Sequence, residues 1–280
     1  MRRFTVLAVL LAGCGRLDEL QYSPATTPDQ WCQQRPCVEV GDTILNEPLG
    51  TVLVFGLALL WLIVGTYFLL TRAGQRSRAW FGLALLLGGV SAALAGISYQ
   101  ALSYVLKCEG LQYCRLTNGF EVGYSLTQAF SVSAMLVAVA YACTTGGTRR
   151  GFLTYAGVNA GVYVLVTVIA VMLPSAVLLS FPVLMLFAVP GLVMVIVIAA
   201  RRRADRMARV ILNVALLQIL VQAAYFGYYA AGITQTLWDD GNGFYFSEND
   251  VLHVGMILWL VYVWRALGPL LRDVDAPPRA

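Results

Sequence analysis

Six runs of the chain carry no charged side chain: Pro48–Thr71, Ala79–Leu106, Val122–Thr148, Gly151–Ala200, Val210–Trp238 and Val251–Trp264. A helix needs about 20 mostly apolar residues to cross the hydrocarbon of a bilayer. The run Gly151–Ala200 is too long for one helix and breaks at Leu173-Pro174-Ser175-Ala176, because proline cannot continue the hydrogen-bond ladder. The pattern therefore predicts seven spans, 49–71, 79–106, 122–144, 151–173, 177–200, 209–233 and 247–267. The expected fold is an all-α integral membrane protein, a seven-transmembrane helix bundle over residues 48–268 with a tail at 269–280. Composition agrees, with 59% apolar and 12% charged residues against roughly 45–50% and 25% in soluble chains. Cytosolic, secreted and nucleic-acid-binding readings are excluded.

Ahead of the first span, Met1-Arg2-Arg3 is basic and Phe4–Leu11 is apolar but too short to cross. Leu11-Ala12-Gly13-Cys14 then fits a bacterial lipoprotein box, in which the cysteine is acylated and becomes the new N-terminus. Gly15–Leu20 turns polar at once. Residues 1–13 read as a lipoprotein signal peptide. Cys14 reads as the lipidation site, carrying chains such as palmitate, and 14–47 as an extracytoplasmic segment. Seven crossings from an outside start leave the C-terminus in the cytoplasm.

The basic residues vote the same way. Thirteen arginines (72, 76, 78, 149, 150, 201, 202, 203, 206, 209, 265, 272 and 279) fall on the predicted cytoplasmic side. Outside remain Arg16, Arg35, Lys107 and Arg115. Lys/Arg bias in short loops sets membrane orientation. The expected location is the bacterial inner membrane, multi-pass, with a lipid-anchored N-terminus on its outer side.

Cys32, Cys37, Cys108 and Cys114 all lie in outer segments, where disulfides form and persist. Four cysteines allow three pairings, and spacing does not choose among them. A thiol–disulfide oxidoreductase would use a two-residue spacer, and these spacers have four and five residues, so stapling is the expected role. Cys143 reads as a small packed residue.

Polar chemistry gathers at the outer ends of three spans. The second ends Ile97-Ser98-Tyr99-Gln100-Ala101-Leu102-Ser103-Tyr104, the third begins Phe120-Glu121-Val122-Gly123-Tyr124-Ser125, and the seventh begins Ser247-Glu248-Asn249-Asp250-Val251-Leu252-His253. His253 is the only histidine in the chain. Asn249 and Asp250 share its helical face, and a carboxylate there could orient the imidazole. The plainer reading is that Ser247 caps the helix, Glu248 and Asp250 favour its positive end, and His253 packs. Trp80, Trp259, Trp264, Tyr245 and Tyr104 fit interfacial aromatic belts. Asn213, Gln218 and Gln222 in the sixth span read as bonds to neighbouring helices, or as ligand contacts if their face meets a cavity. The small residues of Gly88–Gly96 predict close packing of the second span. Trp238–Tyr245 reads as a turn-rich outer loop.

This plan resembles the alkaline ceramidase branch of a seven-span hydrolase superfamily that includes the progestin/adiponectin receptors and haemolysin III-like proteins. Asp29-Gln30-Trp31-Cys32 followed by Glu47-Pro48-Leu49-Gly50-Thr51 is similar to the family's Trp-Cys segment and its Glu-Phe-Trp-Asn-Thr entry into the first span. The family's second span ends Ser-x-x-x-His, its third begins with Asp, and its seventh begins His-x-x-x-His, together holding a zinc ion and its water. Ser98 matches the serine, with Leu102 at the first histidine; Glu121 stands for the aspartate; Asn249-x-x-x-His253 keeps the second of the paired histidines. At the family's calcium site, Asp29 and Glu47 remain, with Gln33 replacing an acid and Gln30 shifting the spacing.

The resemblance implies a metal-dependent hydrolase of a lipid amide or ester at the outer face. In it His253 is a metal ligand, Asp250, Glu121 or Glu109 complete the set, Glu121 holds or activates water, and Ser98 steadies the oxyanion. A catalytic zinc site takes three protein ligands and an open position, and a carboxylate-rich set favours harder transition metals than zinc. The alternative is a catalytically inactive relative that binds a lipid or a membrane partner protein. A transporter is disfavoured by the absence of mid-span charge and of an internal repeat.

Overall fold

Seven long helices form where the charge-free runs place them: α1 (Pro48–Leu70), α2 (Arg76–Ala101), α3 (Gly119–Cys143), α4 (Gly146–Met172), α5 (Phe181–Arg201), α6 (Arg206–Ala230) and α7 (Glu248–Leu267). Each is long and apolar enough to cross a membrane. The computed structural model describes residues 14–239 and 243–276. The signal-peptide reading of 1–13, the side chain of Cys14 and part of the 238–245 loop lie outside the described residues.

Local chemistry sets the helix ends. Asn118 caps α3, accepting from the backbone N–H groups of Phe120 and Glu121 at 2.9 and 3.3 Å. Ser247 caps α7 in a capping box with Asp250. α2 ends earlier than the run to Leu106 predicts. Its last turn, from Gly96, is a π-turn in which Leu102 N–H donates to Ile97 C=O at 2.9 Å. The chain then restarts as a short helix, Ser103–Lys107. The break has a clear cause, because Tyr104 N–H donates to the side chain of Asn46 at 2.7 Å instead of continuing the ladder.

The molecule has two ends of opposite character. At one lies an antiparallel hairpin, β1 (Cys37–Val40) and β2 (Thr43–Asn46), pairing Val40 with Thr43 across Gly41-Asp42. Gly41 has φ +61°, the left-handed conformation such a two-residue turn demands. Disulfides Cys32–Cys37 and Cys108–Cys114 staple this end. Trp31 is buried against Tyr22 and the Cys108–Cys114 bridge. At the other end, Asp273 accepts from the backbone N–H groups of Arg76 and Ser77 at 3.0 and 2.7 Å, capping α2 from a distant part of the chain. Arg149 pairs with Asp275 there at 2.7 Å, and Arg202 donates to Cys143 C=O at 2.7 Å. Cys143 is buried and free.

Packing in the bundle relies on small residues, since between lipid-solvated helices close approach does the work. A Cβ on Gly65 of α1 would lie 3.0 Å from Gly82 C=O of α2, and one on Gly88 would lie 2.7 Å from the Trp61 ring. Large side chains such as Val52, Leu70 and Leu186 face outward. Trp259 departs from the aromatic-belt expectation. It is buried beside Trp61 and donates its indole N–H to Val214 C=O at 2.8 Å.

Candidate functional site

Inside the bundle, on the hairpin side, lies a cavity of about 340 Å³ walled by all the spans except α4. α6 contributes Gln218, Gln222 and Tyr225, spaced by helical turns so that they share a face. α2 contributes Ser91, Tyr99 and Gln100; α7 contributes Asn249 and His253. Among the described residues no Asp, Glu, Lys or Arg lines it. Three buried polar atoms of this wall have no hydrogen-bond partner among the described residues: Gln100 Oε1, Gln218 Oε1 and His253 Nδ1. Unpaired buried polar atoms are rare and costly, so this wall is prepared to hydrogen-bond something that enters. Ser91 Oγ is already engaged by Tyr124 C=O and Gln128 Oε1, both at 3.1 Å.

A second cavity, of about 380 Å³, lies toward the arginine end and is almost wholly apolar. Trp61, Gln128, Met185, Gln218, Gln222 and Met256 line both, so the two adjoin. The result is a space that is polar and uncharged on the hairpin side and greasy beyond it.

The residues singled out in the sequence fall into two groups that do not meet. Ser98, wholly buried, donates to Glu121 Oε1 at 2.8 Å and accepts from Asn118 Nδ2 at 2.7 Å. The same Glu121 oxygen is 2.5 Å from Lys107 Nζ. Lys107 is 2% exposed, donates to Tyr22 OH and Leu116 C=O, and lies over the Tyr99 ring. Glu121 is thus neutralised in a closed cluster beside the cavity rather than in its wall. On the opposite side, Asp250 Oδ2 accepts from the backbone N–H and hydroxyl of Ser247 at 2.7 and 3.1 Å. Of this second group Asn249 and His253 line the cavity, and Asp250 does not. Glu109 and Asp29 are exposed on the surface of the hairpin end. Asn213 points away from the cavity and donates to Tyr262 OH at 3.5 Å.

A zinc or harder transition-metal centre would need converging ligands; here Glu121 pairs with Lys107 and Asp250 with Ser247. Among the described residues no group of three or more His, Cys, Asp or Glu side chains could hold a metal ion. Lys107 was the signal the sequence concealed: its position just after the second charge-free run made it an ordinary loop cation. The hairpin was legible in retrospect, since Val38-Glu39-Val40 and Thr43-Ile44-Leu45 flank Gly41-Asp42.

At the hairpin end, Glu47 ends the loop that enters α1. It is buried, paired with Arg35 at 3.5 Å and hydrogen-bonded by Tyr245 OH at 3.3 Å. Burial pushes its carboxyl up to about 7 from 4.5, Arg35 opposing the rise and Asp250 and Glu248 adding to it. A carboxyl whose folded-state value is raised stabilises the protein when protonated. The contribution of this carboxyl is therefore fully present below pH 4.5 and is lost, about 3 kcal/mol in all, as pH climbs through 7. Thermal unfolding of Glu47→Gln against pH, in chelating buffer, is expected to lack this fall; a wild-type slope in the variant would assign it elsewhere.

No family model, curated protein or solved structure matches the chain.

Proposed function

We propose that the protein binds a neutral lipid, a fatty amide or ester, inside its helix bundle. The observation that carries this reading is the uncharged polar wall of Gln100, Gln218 and His253 opening onto an apolar cavity. An amide N–H or a hydroxyl of a headgroup donates to the bare glutamine oxygens there, while a phosphate or carboxylate finds no counter-charge and pays its desolvation unassisted. Each cavity alone falls within the roughly 300–1,000 Å³ of small-ligand sites, and the apolar one accepts an acyl chain. Engagement of Glu121 by Lys107, and of Ser98 by Glu121 and Asn118, favours binding over hydrolysis. Orientation rests on the arginine bias and the lipoprotein box of the sequence. With the N-terminus outside, the polar end of the cavity faces the outer leaflet of a bacterial cytoplasmic membrane, and an acylated Cys14 anchors the segment above it.

Native mass spectrometry on detergent-purified protein tests this. A single N-acyl amide or monoacylglycerol is expected to be retained in preference to an anionic phospholipid. Gln218→Leu or His253→Phe should weaken that retention about tenfold, the scale of one hydrogen bond lost in a dry site. Equal retention of anionic and neutral lipids, or no effect of either substitution, would sink the reading. Hydrolysis stands second, on the unpartnered Nδ1 of His253 in the cavity wall. It requires free fatty acid to appear on incubation with these lipids and to vanish in His253→Ala.

A further inference from the structure

At the arginine end, the side chains that line the apolar cavity are all buried: Phe81 of α2, Val139 of α3, Val195 of α5, Ile211 of α6, Leu267 at the end of α7 and Leu271 beyond it. The last two differ from the rest in what carries them. α7 finishes in a π-turn over Val263–Leu267, where Gly268 N–H donates to Val263 C=O at 3.1 Å. A further turn follows, in which Leu271 N–H donates to Leu267 C=O at 2.9 Å. The two leucines, four residues apart, share a face, and each is 1% exposed.

This segment is held from outside the cavity by polar bonds. Arg78 donates to Gly268 C=O at 2.6 Å and to Leu271 C=O at 3.2 Å. Just after Leu271, the Asp273 carboxylate caps α2 through the N–H groups of Arg76 and Ser77, and Asp273 N–H donates to Gln75 Oε1 at 2.7 Å. Val274 N–H donates to Tyr141 C=O at 3.1 Å, and Arg149 ties Asp275 to α4. Chain ends without such ties fray. Here Leu271 is fixed by bonds at its own carbonyl and on both sides of it.

We propose that Leu267 and Leu271 form the end wall of the lipid site and set the length of the acyl chain it takes. The proposal rests on the reading of the cavity as a neutral-lipid site and adds its chain-length specificity. A chain that stops short of the leucines fills the cavity without disturbing them. One that reaches them must displace packed side chains, and a close-packed interior yields little. The wall acts on length alone, because no polar group of the ligand reaches it.

Native mass spectrometry of the full chain in detergent, with saturated monoacylglycerols lengthened two carbons at a time, reads the wall. The ratio of variant to wild-type retention at each length cancels the micelle's own preference for long chains. For Leu271→Ala the ratio is expected to stay level for short chains and to rise about tenfold beyond the wild-type limit, as the overpacking cost is relieved. For Leu271→Phe it should fall about tenfold for chains just below that limit. Leu267→Ala serves in place of Leu271→Ala if that variant fails to fold. Ratios that do not change with chain length in these variants overturn the end wall and leave the lipid reading intact. A wild type that retains no monoacylglycerol of any length overturns both.

Discussion

Replacing Lys107 by methionine is expected to cost about 3–5 kcal/mol of stability, the penalty for stranding a buried charge by removing its partner. Lys107 and Glu121 meet at 2.5 Å with side chains 2% and 8% exposed. Methionine reproduces the length of the stem and its contact with Tyr22, Trp31 and Tyr99, so the loss reports the charge rather than a void. Glu121 would keep the hydroxyl of Ser98 but lose its counter-ion. The double variant Lys107→Met/Glu121→Gln is expected to recover most of the loss, because a pair costs roughly as much to desolvate as it gains. Equilibrium unfolding in mixed micelles measures all three proteins. A single variant within about 1 kcal/mol of wild type would mean that the pair is solvated, contrary to its burial.

Arg78→Met is the second large effect, and it is local. Arg78 stands one turn into α2, 1% exposed. Its guanidinium donates to Gly268 C=O at 2.6 Å, Leu271 C=O at 3.2 Å and Thr71 Oγ1 at 2.5 Å, and it lies over the Phe68 ring. Two of those acceptors, Gly268 and Leu271, lie in the turn just past the end of α7. Hydrogen bonds from charged donors contribute about 1.5–3 kcal/mol each, so the variant should lose about 3 kcal/mol of local stability. Hydrogen exchange of the amides from Val263 to Leu271 is then expected to accelerate about a hundredfold, while α3 amides change little. Unchanged exchange in that segment would show that the C-terminal turn is held by its apolar contacts alone. Arg78→Lys should recover only part, since an ammonium cannot span three acceptors as the planar fork does.

These two residues mark where reading the chain alone stopped. Both belong to the charge census used for orientation, Lys107 as one of four outside and Arg78 as one of thirteen inside. Neither is a loop charge in the folded molecule. The same holds for the site. Ser98, Glu121 and Asp250–His253 all cluster near the ends of three spans, as the sequence indicated, and Ser247 caps α7 as its spacing suggested. Their rotation about the helix axes separates them: Ser98 turns toward Glu121 and Lys107, whereas Tyr99 and Gln100, its neighbours, turn to the cavity. Gln218 and Gln222 presented two roles in the sequence, helix contact or ligand contact, and both side chains line the cavity wall.

What the sequence determined by itself is the number of long helices, their approximate limits and the segregation of Cys32, Cys37, Cys108 and Cys114 to one end and most arginines to the other. Charge-free runs of spanning length, a proline break and the spacing of basic residues are local properties, readable without knowing what touches what. The tertiary structure decided which face of each helix turns inward, which cations are buried, and that Leu267 and Leu271 line the apolar cavity. The physical reason is the solvent these helices are made for. Where both lipid and core are apolar, no hydrophobic periodicity distinguishes the buried face from the exposed one. The choice passes to glycine contacts between α1 and α2 and to a few polar side chains whose partners lie on other helices.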